Sequence, residues 1–184
     1  MKRCAWAEGS PELRAYHDEE WGVPRYDEVI LFEMLVLESF QAGLSWNLIL
    51  RTREAFRRAF DGFDPEQIGK YGAREVARLL CDEGIVRSRA KIAATIANAN
   101  AYLAMRDHGE RLSELVWSFV DGEPVLGGHQ VPTQSMASAA LSAALKARGY
   151  SFVGAVTMYS FMQAVGMVND HAPECFRRDV FTRA

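Results

Sequence analysis

Four residues near the two ends of the sequence have the chemistry of metal ligands. Cys4 and His17 follow the start of the chain, and His171 and Cys175 belong to the motif HAPEC near its end. On a helical turn, HAPEC would bring its imidazole beside its thiolate. The two pairs together would complete a tetrahedral Cys2His2 shell, which has no open position for water and therefore indicates a structural zinc ion.

The same four residues have a simpler interpretation. They can be two unrelated histidines and two buried thiols. The interval between Cys4 and His17 is not a standard ligand spacing, so spacing alone favours this second interpretation.

Glu38 is a candidate catalytic residue. It ends the apolar run LFEMLVLE and falls where a helical stripe calls for an apolar side chain. A buried carboxylate is costly unless it is paired or kept for a purpose. A salt bridge or an exposed helix end would explain the same pattern.

Four aromatic residues lie in the first quarter of the chain, close in sequence to Glu38 or to the candidate ligands. They are Trp6, Tyr16, Trp21 and Trp46. Aromatic walls with one carboxylate would suit a flat heterocycle that is stacked and recognised at its edge. The alternative is that each ring belongs to the hydrophobic core.

The segment LLCDEGIVRSRAKI predicts the turn of a helical hairpin that spans about residues 73–92. Gly84 is expected to make a tight turn, and Arg87, Arg89 and Lys91 follow on the first turns of the second helix. Backbone N–H groups at such a turn can bind the phosphates of DNA. An ordinary hairpin with a solvated basic face is the alternative.

Composition sets broad limits on the class of protein. The chain has 184 residues, 49% hydrophobic and 24% charged, which predicts one folded domain over residues 1–184. No apolar run of membrane-spanning length and no secretion signal are visible, so we expect a cytoplasmic protein without a membrane partner. Three cysteines indicate reduced thiols rather than disulfides. A net charge of −3 argues against nonspecific coating of nucleic acid but is compatible with a local basic face.

Helical periodicity dominates the sequence, and it predicts an all-α fold of seven or eight short helices. Their expected starts are Asp27, Ser45, Asp64 and Ser135, which can act as N-caps, and positions near 73, 88, 110 and 155. The second helix should direct its arginines, Arg51, Arg53, Arg57 and Arg58, towards water. Residues 121–134, rich in glycine and proline, predict a loop, and no alternating strand pattern is visible.

Several longer strings resemble the 3-methyladenine DNA glycosylase I family, in order, over residues 3–176. The strings are RCAW, YHDEEWGVP, LFEMLVLESFQAGLSW, GIVRSRAKI, VWSFVDGEP, VPTQS and GYSFVGAVTMYSFMQAVGMVNDH, followed by the last cysteine. The resemblance implies an all-α helix-hairpin-helix DNA glycosylase fold. It also implies a structural zinc ion at Cys4, His17, His171 and Cys175, which pins together residues 1–20 and 168–178.

The resemblance further implies roles in base recognition and base flipping. Glu38 would line the base pocket and accept hydrogen bonds from the adenine edge, with Tyr16 and Trp46 as stacking walls. Gly43 and Leu44 would form the wedge that fills the gap left by the flipped nucleotide. Trp6 and Trp21 are implied as further substrate-binding residues.

The expected activity is hydrolysis of the N-glycosidic bond of N3-methylated adenine in alkylated double-stranded DNA, by a monomer acting in base excision repair. No lysine lies in the pocket motifs, so no lyase step is expected, and Asp121 is given no role. Ser39, Phe40 and Asn47 depart from common family choices and would alter the pocket rim. A zinc-stabilised helical module that binds damaged DNA without cleaving it is the alternative.

Overall fold

The computed structural model describes residues 1–128 and 130–179, and within them the chain forms nine α-helices and two very short strands. The prediction of a mostly helical fold is confirmed. The helices are α1 Pro11–Glu19, α2 Glu28–Gln41, α3 Trp46–Ala59, α4 Pro65–Ile68, α5 Ala73–Cys81, α6 Arg89–Asp107, α7 Leu112–Trp117, α8 Met136–Ala147 and α9 Ala155–Ala164. None of the described helices is long and apolar enough to cross a membrane.

Side-chain caps start the helices at the positions expected from the sequence. Asp27 accepts from two backbone N–H groups at the start of α2, and Ser45 accepts from one at the start of α3. Ser88 and Ser135 do the same for α6 and α8. Because each cap satisfies N–H groups that have no partner within the helix, these boundaries follow from local chemistry.

Helix α2 is the centre of the hydrophobic core. Every residue from Leu31 to Phe40 is buried, and helices α3, α6, α7 and α9 contact it. The ring of Phe40 packs against Phe56 and Phe60, with ring centroids 4.8 and 5.8 Å away. Phe40 is therefore a core residue, and the expectation that it alters the pocket rim is wrong.

Helix α1 has no counterpart among the predicted helices. Its start carries a usable signal, since Ser10 accepts a hydrogen bond from the backbone N–H of Leu13 and Pro11 occupies the first helical position.

The loop at 121–134 also differs from expectation. Two of its residues form strand β1, Val125–Leu126, which pairs in parallel with β2, Val168–Asn169.

The basic face predicted for α3 is only partly solvated. Arg51 and Arg58 are exposed, as expected. Arg53 instead lies between two helices and donates to Glu20 at 2.6 Å and to Glu33 at 2.8 Å. A charge pattern cannot reveal this burial, because the acidic partners come from other segments of the chain.

Helices α5 and α6 form the predicted hairpin, joined by residues 82–88. Ile85 is buried between the helices, and the side chain of Asp82 accepts from the backbone N–H of Gly84 at 2.8 Å. Gly84 does not have a positive φ. It is needed for close packing, because a Cβ at this position would lie 2.9 Å from the Cβ of Ala55 on α3.

Candidate active site and metal centre

A cavity of about 650 Å³ opens between α1, the end of α2, the start of α3 and one face of α9. The N-terminal segment and residues 170–173 close its other side. All four aromatic residues singled out from the sequence line it, together with Glu38: they are Trp6, Tyr16, Trp21 and Trp46. The tertiary structure thus brings the predicted substrate-binding residues to one place.

Glu38 lies in the last turn of α2 with only 4% of its surface exposed. Its carboxyl group has no hydrogen bond or ion pair to any residue that the structure describes. Burial raises the pKa of Glu38 to about 8, because an apolar surrounding disfavours the charged form. Neither a salt bridge nor an exposed helix end explains this residue.

Tyr16 stands beside Glu38 in the cavity wall. It is buried on α1, and within the described residues its hydroxyl group has no hydrogen-bond partner. Burial and the neighbouring carboxylate raise its pKa well above the usual value, so the hydroxyl keeps its proton. The ring of Trp46 lies 5.3 Å from that of Tyr16, which gives the cavity an aromatic wall next to two polar groups.

Trp6 and Trp21 form a further part of the wall and contact each other edge to face, with ring centroids 5.0 Å apart, and Trp6 also lies 6.3 Å from the ring of Tyr16. Trp6 also lies 5.3 Å from the ring of His17, and Trp21 lies 4.5 Å from that of His171. These two tryptophans therefore contact both the cavity and the cluster of candidate metal ligands, and two of those ligands, Cys4 and His171, also line the cavity.

Cys4, His17, His171 and Cys175 converge in that cluster, and all four are buried. Their ligand atoms lie within 4.8 Å of one another. The Sγ–N distances are 3.6 Å from Cys4 to His171, 3.3 Å from Cys175 to His17 and 3.5 Å from Cys175 to His171. A tetrahedral ion with ordinary Zn–S and Zn–N bonds separates such ligands by about 3.6 Å. The cluster could therefore hold a metal ion.

Neighbouring groups orient both imidazoles for ligation. His17 Nδ1 lies 2.8 Å from a carboxylate oxygen of Asp18, and His171 Nε2 lies 3.2 Å from the carbonyl oxygen of Trp21. A proton on each of these nitrogens leaves His17 Nε2 and His171 Nδ1 free, and those are the atoms that face the thiols.

The ionisation of the cluster also fits a cation. Burial lowers the pKa of His171 to about 4, so its imidazole is neutral. Burial raises the pKa of Cys4 to about 11, so a metal ion would be needed to hold it as a thiolate.

Residues 171–175 do not form the helical turn expected from their spacing. They form a non-helical turn closed by a hydrogen bond from the N–H of Cys175 to the carbonyl of Ala172.

Sequence reasoning missed Asp170, a second buried carboxylate in the cavity lining. Its Oδ2 accepts from the hydroxyl of Tyr159 at 2.7 Å and from the side chain of Gln163 at 2.8 Å. Nothing in the motif VNDH distinguishes this aspartate, because its partners come from α9.

Asn47 also lines the cavity, where its side-chain oxygen accepts from the hydroxyl of Ser10 at 2.8 Å.

Gly43 and Leu44 lie in the turn between α2 and α3, next to the cavity. Gly43 has a φ of 80° and open space around its Cα, and Leu44 is 37% exposed. Two hydrogen bonds with Gln41 tighten the turn, one between backbone groups and one from its side chain to the carbonyl of Leu44. Leu44 is thus a partly exposed leucine on a hydrogen-bonded turn between Gln41 and Ser45, two residues that line the cavity.

The basic residues of the hairpin divide into two kinds. Arg87 and Arg89 are exposed at the turn. Lys91 is partly buried, and its Nζ donates to the carbonyl oxygens of Phe40 and Ala42, both at 2.7 Å. Lys91 therefore caps the end of α2 and supports the turn that carries Leu44, a role that the sequence did not indicate.

Comparison with known proteins gives a consistent result. The sequence profile of the methyladenine glycosylase family matches residues 6–178. The chain is 49% identical over 179 residues to DNA-3-methyladenine glycosylase 1 of Escherichia coli (strain K12), covering 95% of this chain and 96% of the relative. A crystal structure of a 3-methyladenine DNA glycosylase I, 50% identical, superimposes with a TM-score of 0.93 over 95% of this chain and 98% of the other.

A second solved structure is more distant in sequence. It is the 3-methyladenine DNA glycosylase I of Staphylococcus aureus, 36% identical, with a TM-score of 0.92 and 97% of both chains covered. Both the sequence and the fold are shared along nearly the whole chain. The chain therefore belongs to the methyladenine glycosylase family.

Proposed function

We propose that this chain is a DNA-3-methyladenine glycosylase that hydrolyses the N-glycosidic bond of N3-methylated adenine in alkylated DNA, the first step of base excision repair. One observation supports this most directly. Glu38 and Tyr16 are buried side by side in an aromatic cavity, and neither side chain has a polar partner among the described residues. Such groups need a ligand to satisfy them, and an adenine edge offers both donors and acceptors.

The base is recognised by charge and by shape. An N3-methylated adenine is positively charged within the nucleotide, so the carboxylate of Glu38 pairs with it and accepts from its exocyclic amine. Tyr16 supplies a hydroxyl at the edge of the ring, and Trp46 supplies a stacking surface. The S. aureus relative, whose recognition of 3-methyladenine has been described, supports the choice of this base.

The chemistry demands little of the protein. The cationic base is already a good leaving group and departs as neutral 3-methyladenine, while the positive charge passes to the sugar. The enzyme has to extrude the nucleotide, orient it and admit water. No lysine is found among the described residues that line the cavity, so a Schiff-base lyase step has no nucleophile there.

The DNA-binding surface combines the turn between α2 and α3 with the hairpin turn. Leu44 fills the gap left by the flipped nucleotide, and Gly43 lets the backbone approach the duplex. Arg87 and Arg89 contact phosphates, together with backbone N–H groups of a helix-hairpin-helix element formed by α5 and α6. Gly84 lets the hairpin pack against α3, and Lys91 holds the wedge turn in place.

The four-residue cluster holds a structural zinc ion. Two thiols and two imidazoles are the donor set that zinc prefers, and four protein ligands leave no coordination site for a reacting water. The ion would tie the first turn of the chain to residues 171–175, and through Trp6 and Trp21 it would support one wall of the cavity. A zinc hydrolase does not fit this closed shell.

Residues 1–184 act as one glycosylase domain and as a monomer on double-stranded DNA. The decisive experiment incubates the protein with methylated duplex DNA and separates the released bases by chromatography. Release of 3-methyladenine above the spontaneous rate is expected. A protein that binds the duplex but releases no base would instead be a DNA-binding module without glycosylase activity.

A further inference from the structure

Phe152 combines two features that seldom occur together. Its side chain is 41% exposed, and its backbone has a φ of 57°, a left-handed conformation that bulky residues avoid. Phe63 has a similar φ of 59°, but its ring is fully buried in the core. Burial offsets the backbone strain of Phe63, whereas Phe152 gains no comparable packing.

Hydrogen bonds on both sides hold Phe152 in this conformation. The buried side chain of Asn98 accepts from the backbone N–H of Ser151 at 2.7 Å and donates to its carbonyl oxygen at 3.1 Å. The hydroxyl of Ser39 lies 3.2 Å from the carbonyl oxygen of Phe152 and 2.8 Å from that of Leu35, so its single proton is shared between the two. Strained residues that are held from several sides are concentrated at functional sites.

Helix α6 connects this residue to the wedge. Lys91 and Asn98 are seven residues apart on α6 and therefore lie on the same face of the helix. Lys91 holds the carbonyl of Ala42, just before the wedge turn, and Asn98 holds Ser151. Ser39 links the same end of α2 directly to Phe152. One helix face thus holds the backbone next to two exposed apolar residues, Leu44 and Phe152.

We propose that Phe152 is a second contact with the DNA duplex and stacks on a base that the flipped nucleotide leaves without its neighbour. The proposal rests on the proposed function, since it extends the wedge surface of Leu44. An unstacked base is a flat, apolar partner for an exposed aromatic ring. Val156, also exposed, lies four residues further along the chain on α9, and Ser160, one turn beyond it, lines the cavity. Helix α9 therefore leads from the neighbourhood of Phe152 to the cavity.

The test replaces Phe152 with asparagine, which adopts left-handed backbone conformations readily and cannot stack well. Phe152→Asn is expected to unfold at the same or a higher denaturant concentration than the unmodified protein. Its affinity for a duplex with an abasic analogue should fall roughly 10- to 100-fold, the usual effect of losing one stacked base. Its affinity for free 3-methyladenine should be unchanged. Phe152→Trp should restore most of the duplex affinity.

Val29→Ala is the matched control, because Val29 is an exposed apolar residue at the opposite end of α2. Val29→Ala should leave duplex affinity unchanged.

Unchanged duplex affinity in Phe152→Asn, or an equal loss of free-base affinity, would overturn the proposal. The unmodified protein and Leu44→Ala are measured in parallel. Suppose that the unmodified protein excises the base and that Leu44→Ala weakens duplex binding. If Phe152→Asn then binds the duplex normally, only the inference about Phe152 fails. If the unmodified protein neither binds nor cleaves the duplex, the proposed function fails as well.

Discussion

The ring of Trp21 meets that of His171 edge to face, with ring centroids 4.5 Å apart and an interplanar angle of 77°. The carbonyl oxygen of Trp21 also lies 3.2 Å from His171 Nε2. One residue of the cavity wall therefore rests on one candidate metal ligand through both its side chain and its backbone. The cluster of candidate metal ligands and the cavity are therefore structurally coupled.

Metal removal should weaken both the fold and base binding. We expect one zinc ion per chain in the purified protein, measured by elemental analysis. Cys175→Ser, or treatment with a chelator, should lower the free energy of unfolding, because metal binding contributes directly to folding. The affinity for free 3-methyladenine, measured by calorimetry, should fall as well because Trp21 loses its support. Cys81→Ser is the control, since this exposed cysteine lies outside the cluster. Protein without zinc that keeps full stability would contradict the assignment.

Glu38→Gln should separate activity from folding. The substitution keeps the size of the side chain but removes the charge, and loss of a charge-assisted hydrogen bond in a buried site costs about 2–4 kcal/mol. Excision of 3-methyladenine should therefore slow roughly 30- to 1000-fold, as measured in single-turnover assays. Binding to an abasic-analogue duplex should hardly change. Joint loss of duplex binding and stability would mean that Glu38 is a structural residue.

As pH rises towards 8, the rate of excision should increase, whereas the contribution of Glu38 to folding stability should decrease. Burial raises the pKa of Glu38 to about 8, so kcat/KM should increase as pH rises towards 8 and the carboxylate forms. The same shift means that the folded state favours the protonated group. Its contribution to stability is fully present below the ordinary carboxyl pKa and is lost as pH rises towards 8. Glu38→Gln should flatten both profiles and stabilise the protein at pH 8 by several kcal/mol, since each unit of the pKa shift corresponds to about 1.4 kcal/mol.

Substitutions of Lys91 and of Arg87 should differ in how they change the salt dependence of duplex affinity. A residue that contacts a phosphate contributes about one unit to the slope of log affinity against log salt. Arg87→Ala should therefore lower the slope by about one unit. Lys91→Met should weaken duplex binding without changing the slope, because its ammonium group is occupied by the carbonyls of Phe40 and Ala42. Equal slope changes in both variants would indicate that Lys91 contacts phosphate directly.

Leu44→Ala should impair flipping more than base recognition. Leu44 is exposed in the turn beside the cavity and has no part in the core. Affinity for the abasic-analogue duplex should fall by roughly 10-fold or more, because the truncated side chain no longer fills the gap in the base stack. Affinity for free 3-methyladenine should stay the same. A collapse of free-base affinity would place Leu44 in the pocket or in the fold.

Local chemistry made the helices readable from the sequence alone. The caps Asp27, Ser45 and Ser135 start helices where expected, because a cap acts on N–H groups of its own first turn. Glu38 was also recognisable, since a carboxylate that interrupts an apolar stripe has few explanations. The family followed from strings of residues that lie close together along the chain.

Interactions between distant segments were decided only by the tertiary structure. The cluster of Cys4 with His171 joins the two ends of the chain, and the Cys4 to His17 interval alone had argued against a metal site. Lys91 donates to carbonyl oxygens at the end of α2, and Arg53 is held by acidic residues from other segments of the chain. The left-handed backbone of Phe152 is held by Asn98, which bonds both backbone groups of Ser151, and by Ser39, which lies beside its carbonyl oxygen. Periodicity reports which face of a helix is buried, but not which distant partner covers it, and that depends on how the helices pack.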